Sequence, residues 1–319
     1  MKDMHLILGL DIGGTKTAVV LGDAEGRIHE RASFFTHTER GFQATFDELC
    51  ANTADLLGLA DRSGAVVDAL SISIGGPLDI RRGIVKSPPN LPGWDDIPLM
   101  QLLADQFGLP VFIEHDGNAG ALAEWRFGAA RGALNVIFLT MGTGFGGGLI
   151  LNGQLYAGTC DLAGEVGHVR LADEGPEAFG KSGSWEGLCG GAGIARRAAQ
   201  RFPQRWKEGK ITVRELADLA AGGDVEVLAL FREVGCDLGR GLALLIDILN
   251  PEIIVIGSLA VRLGDWVLEP AREVVRSEAL SQAVAACRIV PAALGERLGD
   301  VAALCAALHH GQLSRETGA

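Results

Sequence analysis

The stretch Leu6–Phe34, "LILGLDIGGTKTAVVLGDAEGRIHERASF", decides the fold. "LILGLDI" is a short apolar run that stops at two glycines, the signature of a buried strand ending in a turn. "TAVVLG" returns as a second strand, "DAEGR" turns again, and "IHERASF" runs as a third. Three strands joined by tight turns make a β-meander, and no helix separates them as a βαβ unit requires. The same outline recurs at Leu134–Tyr156, "LNVIFLTMGTGFGGGLILNGQLY": apolar strand, Gly/Thr-rich turn, returning strand, Asn-Gly turn, third strand. Repetition at this scale implies a duplicated βββαβαβα unit.

The remaining segments fit that outline. "FQATFDELCANTADLLGLA" carries apolar residues at helical spacing, and "AVVDALSISIGG" is a strand running into glycines. "LMQLLADQFG" reads as a helix closed by Gly108, and "LPVFIEHDGN" as a strand with polar residues at its carboxyl end. "EIIVIGS" is a late buried strand. In the terminal helix "DVAALCAALHHGQL", Val301, Leu304, Cys305 and Leu308 fall on one face, which needs a partner surface.

With 319 residues the chain is long enough for two domains, each with its own core. The net charge of −12 opposes a nucleic-acid partner, since phosphate backbones are held by clustered Lys and Arg. It leaves nucleotide binding open, because backbone N–H groups alone can cradle phosphates. Six cysteines are scattered without a CxxC pair, as expected of buried thiols in a cytoplasmic protein. The start "MKDMHLILGLDIGG" turns into a glycine loop too soon for a signal peptide or membrane span.

Four stretches carry chemistry. "DIGGTKT" places Asp11 at a strand end, then Gly13 and Gly14, then Thr15 and Lys16. Glycines let backbone approach a phosphate, hydroxyls and N–H groups donate to it, and Asp11 can hold a metal through water. An ordinary hairpin is the competing reading. "MGTGFGGG" offers Gly142, Thr143 and Gly144 in the matching place, where so many glycines weaken a strand and suggest a ligand close by. "EHDGN" exposes Asp116 at the carboxyl edge of a sheet, as a general base or as the cap of the next helix. "GEVGH" sets Glu165 and His168 around a glycine, a pair suited to sugar hydroxyls, which both donate and accept; a structural histidine is the alternative.

In their order along the chain these pieces resemble the ROK family of sugar kinases and repressors, within the actin-like ATPase superfamily. "LDIGGTKTAVV" and "MGTGFGGGLILNG" resemble its two phosphate loops, and "SISIGGPLD" and "SPPNLPGW" its sugar-side segments. "EHDGNAGALAEW" is similar to its catalytic segment, and "GLALLIDILNPEIIVIGS" to its adenosine-side segment. The resemblance implies an α/β protein of two actin-like, ribonuclease-H-like domains around a central cleft. The domains would be residues 1–115, completed by a terminal helix at about 297–319, and 116–296 with a helical insertion. It implies ATP-dependent phosphorylation of a hexose hydroxyl, glucose first and fructose, mannose, allose or N-acetylhexosamine as alternatives. Asp116 would be the base, and Gly76, Asn90, His115, Glu165, His168 and Glu186 would meet the sugar. Asp11, Gly13, Gly14, Thr15, Lys16, Gly142, Thr143 and Gly144 would face the phosphates and their Mg²⁺, and Gly257 the adenosine. A cytoplasmic homodimer is expected, with neither nucleic acid nor membrane as partner. A sugar-binding member without catalysis is the other reading. A repressor is not expected, because "DIGGTKT" begins at residue 11 and leaves no room for a winged helix before it.

Two departures from the family pattern matter. His115 stands where asparagine usually precedes the catalytic acid. The usual zinc knuckle, C-x-C-G-x-x-G-C-x-E, is here "EAFGKSGSWE", with Glu177, Phe179 and Ser184 at the three cysteine positions. Zinc wants about four soft or imidazole ligands and His168 alone is left, so no structural zinc is expected. Gly180, Gly183 and Glu186 persist, with packing by Phe179 and Trp185 expected to hold the loop. A backbone carbonyl, Ser182 or Ser184 is expected to orient His168.

Overall fold

A computed structural model describes residues 4–207 and 210–316, with side chains as far as residue 311. The chain forms two compact units, Met1–Phe127 with Ala157–Leu162 and Glu296–Ala319, and Gly128–Tyr156 with Ala163–Gly295. Each unit is built on one five-stranded sheet.

In the first unit the strands are His5–Ile12, Lys16–Gly22, Ile28–Phe35, Val66–Ile74 and Val111–His115. They lie in the order third, second, first, fourth, fifth. The meander pairs antiparallel, and the first, fourth and fifth strands run parallel. Alternation along the strands divides the residues between two covers. Leu6, Leu8, Leu10 and Ile12 join Leu49 and Leu56 of the Gly41–Ser63 helix in one core. Val20 and Ile7 turn the other way, onto Ala303, Leu304 and Leu308 of the terminal helix Leu298–Glu316. Truncating a fully enclosed residue such as Leu49 would cost about 2–5 kcal/mol.

The terminal helix is more deeply enclosed than its pattern predicts. Every residue from Val301 to Leu308 is buried, including the alanines between the four large side chains. The helix lies against the sheet and against the Asp116–Phe127 helix, so it has no solvent face in this run. Small residues there allow close approach: a Cβ on Gly9 would stand 3.0 Å from the Ala303 backbone. The Ala307 N–H donates to the Ser71 hydroxyl at 3.0 Å, fixing the helix's height on the sheet.

The second unit repeats the order with Val136–Met141, Phe145–Leu151, Gln154–Leu155, Ile253–Ile256 and Arg288–Pro291 as its first to fifth strands. Between its third and fourth strands run the knuckle loop and several helices, the longest Val225–Leu249. Asp224 starts that helix by accepting from the Glu226 and Val227 N–H groups. Gly235 and Gly239, four apart, bring it within contact of the Asp265–Glu278 backbone; a Cβ on either would lie 2.4 or 2.5 Å from a carbonyl oxygen of that helix. The fifth strand, "RIVP", is too short and half-exposed to announce itself by pattern.

Candidate functional site

The parallel pairing in the first unit brings three strand ends to one edge of its sheet. Ile12 is level with Ile74, and Ile74 with His115. The turns that leave those residues, Gly13–Lys16, Gly75–Pro77 and Asp116 onward, are therefore neighbours, at the carboxyl ends of strands where α/β sheets bind ligands. The Gly76–Pro77 peptide is cis.

The turn after the first strand is both hairpin and loop. The Gly13 N–H donates to the Lys16 carbonyl at 3.1 Å, so this glycine closes the turn, and Thr15 and Lys16 stand exposed. Thr36, which sequence reasoning missed, braces it: the Thr36 hydroxyl donates to the Gly13 carbonyl at 2.6 Å and meets the Thr17 hydroxyl at 3.0 Å. Gly14 lies under Asn90, whose carbonyl oxygen is 2.3 Å from where a Cβ on Gly14 would sit.

Asp116 satisfies both of its sequence readings. It is the first residue of its helix, and its Oδ1 accepts from the Gly117 N–H at 2.7 Å. Its Oδ2 lies 3.7 Å from the Cβ position above Gly75, where the Asn90 side-chain amide also converges, its nitrogen at 3.4 Å. Half of the Asp116 side chain remains exposed. His115 does something else. Its ring edge lies close to Gly76, with Nε2 2.8 Å from a Cβ position there, and its Nδ1 accepts from the Gly117 N–H at 3.3 Å. The same Nδ1 lies 3.2 Å from the Asp116 Oδ1. Behind it the buried Glu114 accepts from the His115 N–H at 2.9 Å and from the Asn118 amide at 3.0 Å, and pairs with His310 at 3.0 Å. Only its place inside an apolar strand marked Glu114 in the sequence.

Asp11 completes this edge. Burial pushes its carboxyl up to about 7, and the negative charges of Asp116 and Asp300 add to the rise, with Arg31 opposing. Of the two acids that crowd it, Asp300 is itself paired: the Arg31 Nε donates to both of its carboxylate oxygens at 2.9 Å.

The second unit assembles its own set. The Gly142 N–H bonds to the Gly144 carbonyl at 3.1 Å, making the loop a tight turn. The start of the Gly191–Arg201 helix holds it: Gly191 and Ala192 donate to the Gly142 and Thr143 carbonyls at 2.8 and 3.1 Å. Neither residue was singled out from the sequence, since their N–H groups act without a side-chain signature. Gly257 follows the fourth strand, and its N–H is taken by the Leu139 carbonyl at 2.8 Å.

Glu186 accepts from the Phe145 N–H at 2.8 Å. Burial holds its carboxyl above the ordinary range; the Phe145 bond and nearby His168 work against that, and Glu165 with it. Glu165 and His168 thus lie in the neighbourhood of Glu186. His168 is exposed, and the Phe179 ring stacks on it at 3.6 Å between centroids and 20° between planes. Lys181 donates to the His168 carbonyl. Ser184 does not orient His168; its hydroxyl is spent capping the Trp185–Cys189 helix by accepting from the Gly187 N–H at 3.2 Å. Trp185 is buried against Phe145, with ring centroids 4.8 Å apart. Among the described residues no group of three His, Cys, Asp or Glu side chains is arranged to hold a metal ion.

Comparison with known proteins places the chain in a family. The ROK family model matches residues 7–309. A glucokinase from Halalkalibacterium halodurans is 31% identical over 309 residues, covering 92% of each chain. A xylose repressor from Bacillus spizizenii is 30% identical over 291 residues, covering 91% of this chain and 73% of its own. Among solved structures, a ROK family glucokinase from Streptomyces griseus in complex with glucose and AMPPNP superposes with a TM-score of 0.81 at 32% identity, covering 96% of this chain and 99% of that one.

Proposed function

The chain belongs to the ROK family, and from that premise we propose that it is an ATP-dependent hexose kinase with glucose as its acceptor. The observation that carries the reading is Asp116, with one oxygen fixed by the Gly117 N–H and the other converging with the Asn90 amide over Gly75. A base must be held still while it meets a proton, and this carboxylate is held from one side only. The glucokinase relative and the neighbour solved with glucose and AMPPNP support the acceptor and the donor.

In the proposed reaction Asp116 takes the proton of the attacking hexose hydroxyl as its oxygen bonds to the γ-phosphorus, and the bond from that phosphorus to the ADP oxygen breaks. Phosphoryl transfer asks mostly for positioning and charge neutralisation. Asn90, Glu165, His168 and Glu186 bind the sugar, and Gly76 shapes the floor under it. His115, beside Gly76, lines that floor. Gly14, Thr15 and Lys16 offer donors to phosphates, and so do Thr143 and Gly144. Gly257 lies beside the adenosine. Asp11, at the end of the first strand just before the Gly13–Lys16 turn, would hold a hard divalent cation through its carboxylate. Mg²⁺ there would neutralise phosphate oxygens.

A homodimer in the cytoplasm completes the reading; no described helix is long and apolar enough to cross a membrane. Light scattering that returns the mass of one chain, 33.5 kDa, at micromolar concentration would sink the dimer. A screen of hexoses with Mg-ATP, read by coupled ADP release, tests the activity. Glucose binding without turnover by the intact protein would instead favour a sugar-binding member, the kind of role its repressor relative's name suggests.

A further inference from the structure

The knuckle hairpin contains a residue that its own backbone disfavours. Glu177–Ala178 and Lys181–Ser182 pair antiparallel, with Ala178 opposite Lys181. Phe179 and Gly180 therefore form a two-residue turn, with φ of 54° and 68°. Positive φ at both positions is the type I′ geometry, which favours Asn-Gly. A bulky aromatic residue at the first position is a backbone outlier. Burial does not compensate it, because Phe179 is 43% exposed. Such outliers persist where a neighbouring contact over-determines them, and they gather at functional sites. The contact here is the His168 ring, stacked at 3.6 Å.

The same hairpin is tied to the His168 segment at several points. Lys181 donates to the His168 carbonyl, Leu171 donates to the Gly183 carbonyl at 2.9 Å, and Trp185 to the Val169 carbonyl at 2.8 Å. Gly183 is pressed onto Ala172, whose carbonyl oxygen is 1.8 Å from where a Cβ would be. The hairpin thus has a fixed height against residues 168–172, and Phe179 at its tip lies on the imidazole. An exposed histidine would otherwise sample its rotamers.

We propose that Phe179 is a positioning residue that holds the His168 imidazole in its hexose-binding orientation, a flat aromatic surface substituting for a directional bond to the ring. This deepens the kinase reading and rests on it. Turnover of glucose by Phe179→Asn, Phe179→Leu and Phe179→Tyr, together with melting and histidine-selective NMR, tests it. Asparagine suits the turn, so Phe179→Asn is expected to melt no lower than the parent while its glucose KM rises about 10-fold or more, the scale seen when a group orienting a ligand side chain is lost. Its KM for ATP should not move. Leucine has similar bulk but no ring and should behave like asparagine towards glucose; tyrosine should restore the parent's KM. In the NMR spectrum, with His168→Gln as the assignment control, the ring protons of His168 should be shifted upfield in the parent and the tyrosine variant. The shift should vanish with asparagine or leucine. If the parent phosphorylates glucose and Phe179→Asn keeps its glucose KM, or if the upfield shift is missing in the parent, the inference is overturned. If the parent turns over no hexose, the kinase reading fails, and the role of Phe179 in hexose binding fails with it.

Discussion

The Glu186 carboxylate accepts a hydrogen bond from the Phe145 backbone N–H at 2.8 Å and lies 2.6 Å from where a Cβ on Gly144 would stand. One side chain therefore braces the glycine turn and faces the residues proposed to bind sugar. Glu186→Ala is expected to raise the KM for both glucose and ATP, because the turn loses its brace. Glu186→Gln keeps an acceptor for Phe145, so it should raise the glucose KM alone. A hydrogen bond to a charged group is worth about 1.5–3 kcal/mol, or roughly 10- to 150-fold. Equal effects of the two variants on the KM for ATP would show that the brace does not matter.

Asp116→Asn should fold normally, since the side chain is half-exposed and asparagine can still accept from the Gly117 N–H. Its kcat should fall by about 100-fold or more, the usual cost of losing a general base. Stopped-flow or coupled assays with saturating glucose and ATP check this; turnover near the parent's would remove Asp116 from the chemistry.

Much of this was legible in the sequence because its signals are local and repeated. Two meanders with glycine turns gave both sheets, and the carboxyl-end position of Asp116 follows once Val111–His115 is read as a parallel strand. What escaped was carried by backbone or by long-range packing. Gly191 and Ala192 act through N–H groups that every residue has. Thr36 reaches Gly13 across a strand pair, a distance no local pattern encodes. The nearness of His115 to Gly76 and to the Gly117 N–H likewise follows from packing between neighbouring strand ends, not from its residue type. The alanines of the terminal helix looked neutral, yet their small size is what lets the sheet and the Asp116–Phe127 helix close on both sides.

Acid should destabilise the first unit through the terminal helix. Burial depresses the pKa of His309 from 6.5 to about 4, with the neighbouring His310 and Arg126 pushing the same way and Glu114 opposing. The unfolded chain therefore binds this proton at higher pH than the folded one, so folding stability falls as pH drops from about 6.5 towards 4. Glu114 adds a second loss at lower pH: despite its burial, hydrogen bonds from His310, Asn118 and the His115 N–H hold its carboxyl below the ordinary range. His309→Gln should flatten the first part of the acid limb in a denaturant series run from pH 7 to 4 and leave the later part. An unchanged slope between pH 6.5 and 5 would show that His309 does not set it.

Removing zinc should change nothing. Each of the three positions at issue has other work. Glu177 pairs with Ser182 in the hairpin, Phe179 covers His168, and Ser184 caps the Trp185–Cys189 helix. Cys189 is not a substitute: it is fully buried, its thiol directed at the Val234 carbonyl, and burial raises its pKa far beyond the range in which a thiolate forms. The loop instead closes by packing of Trp185 on Phe145 and by the fit of Gly183 on Ala172. A metal that binds only the folded state stabilises it by RT ln(1 + [L]/Kd), about 4 kcal/mol at a thousand times Kd, so a zinc-dependent fold would betray itself on stripping. Prolonged dialysis against a strong chelator, followed by return of Mg²⁺, is therefore expected to leave both Tm and glucose KM where they were. His168→Ala should weaken glucose in stripped and unstripped protein by the same factor, as it must where the ring binds sugar without a metal. One zinc per chain by elemental analysis, or a Tm that falls on chelation and recovers with zinc, would mean that the loop binds metal through residues other than these.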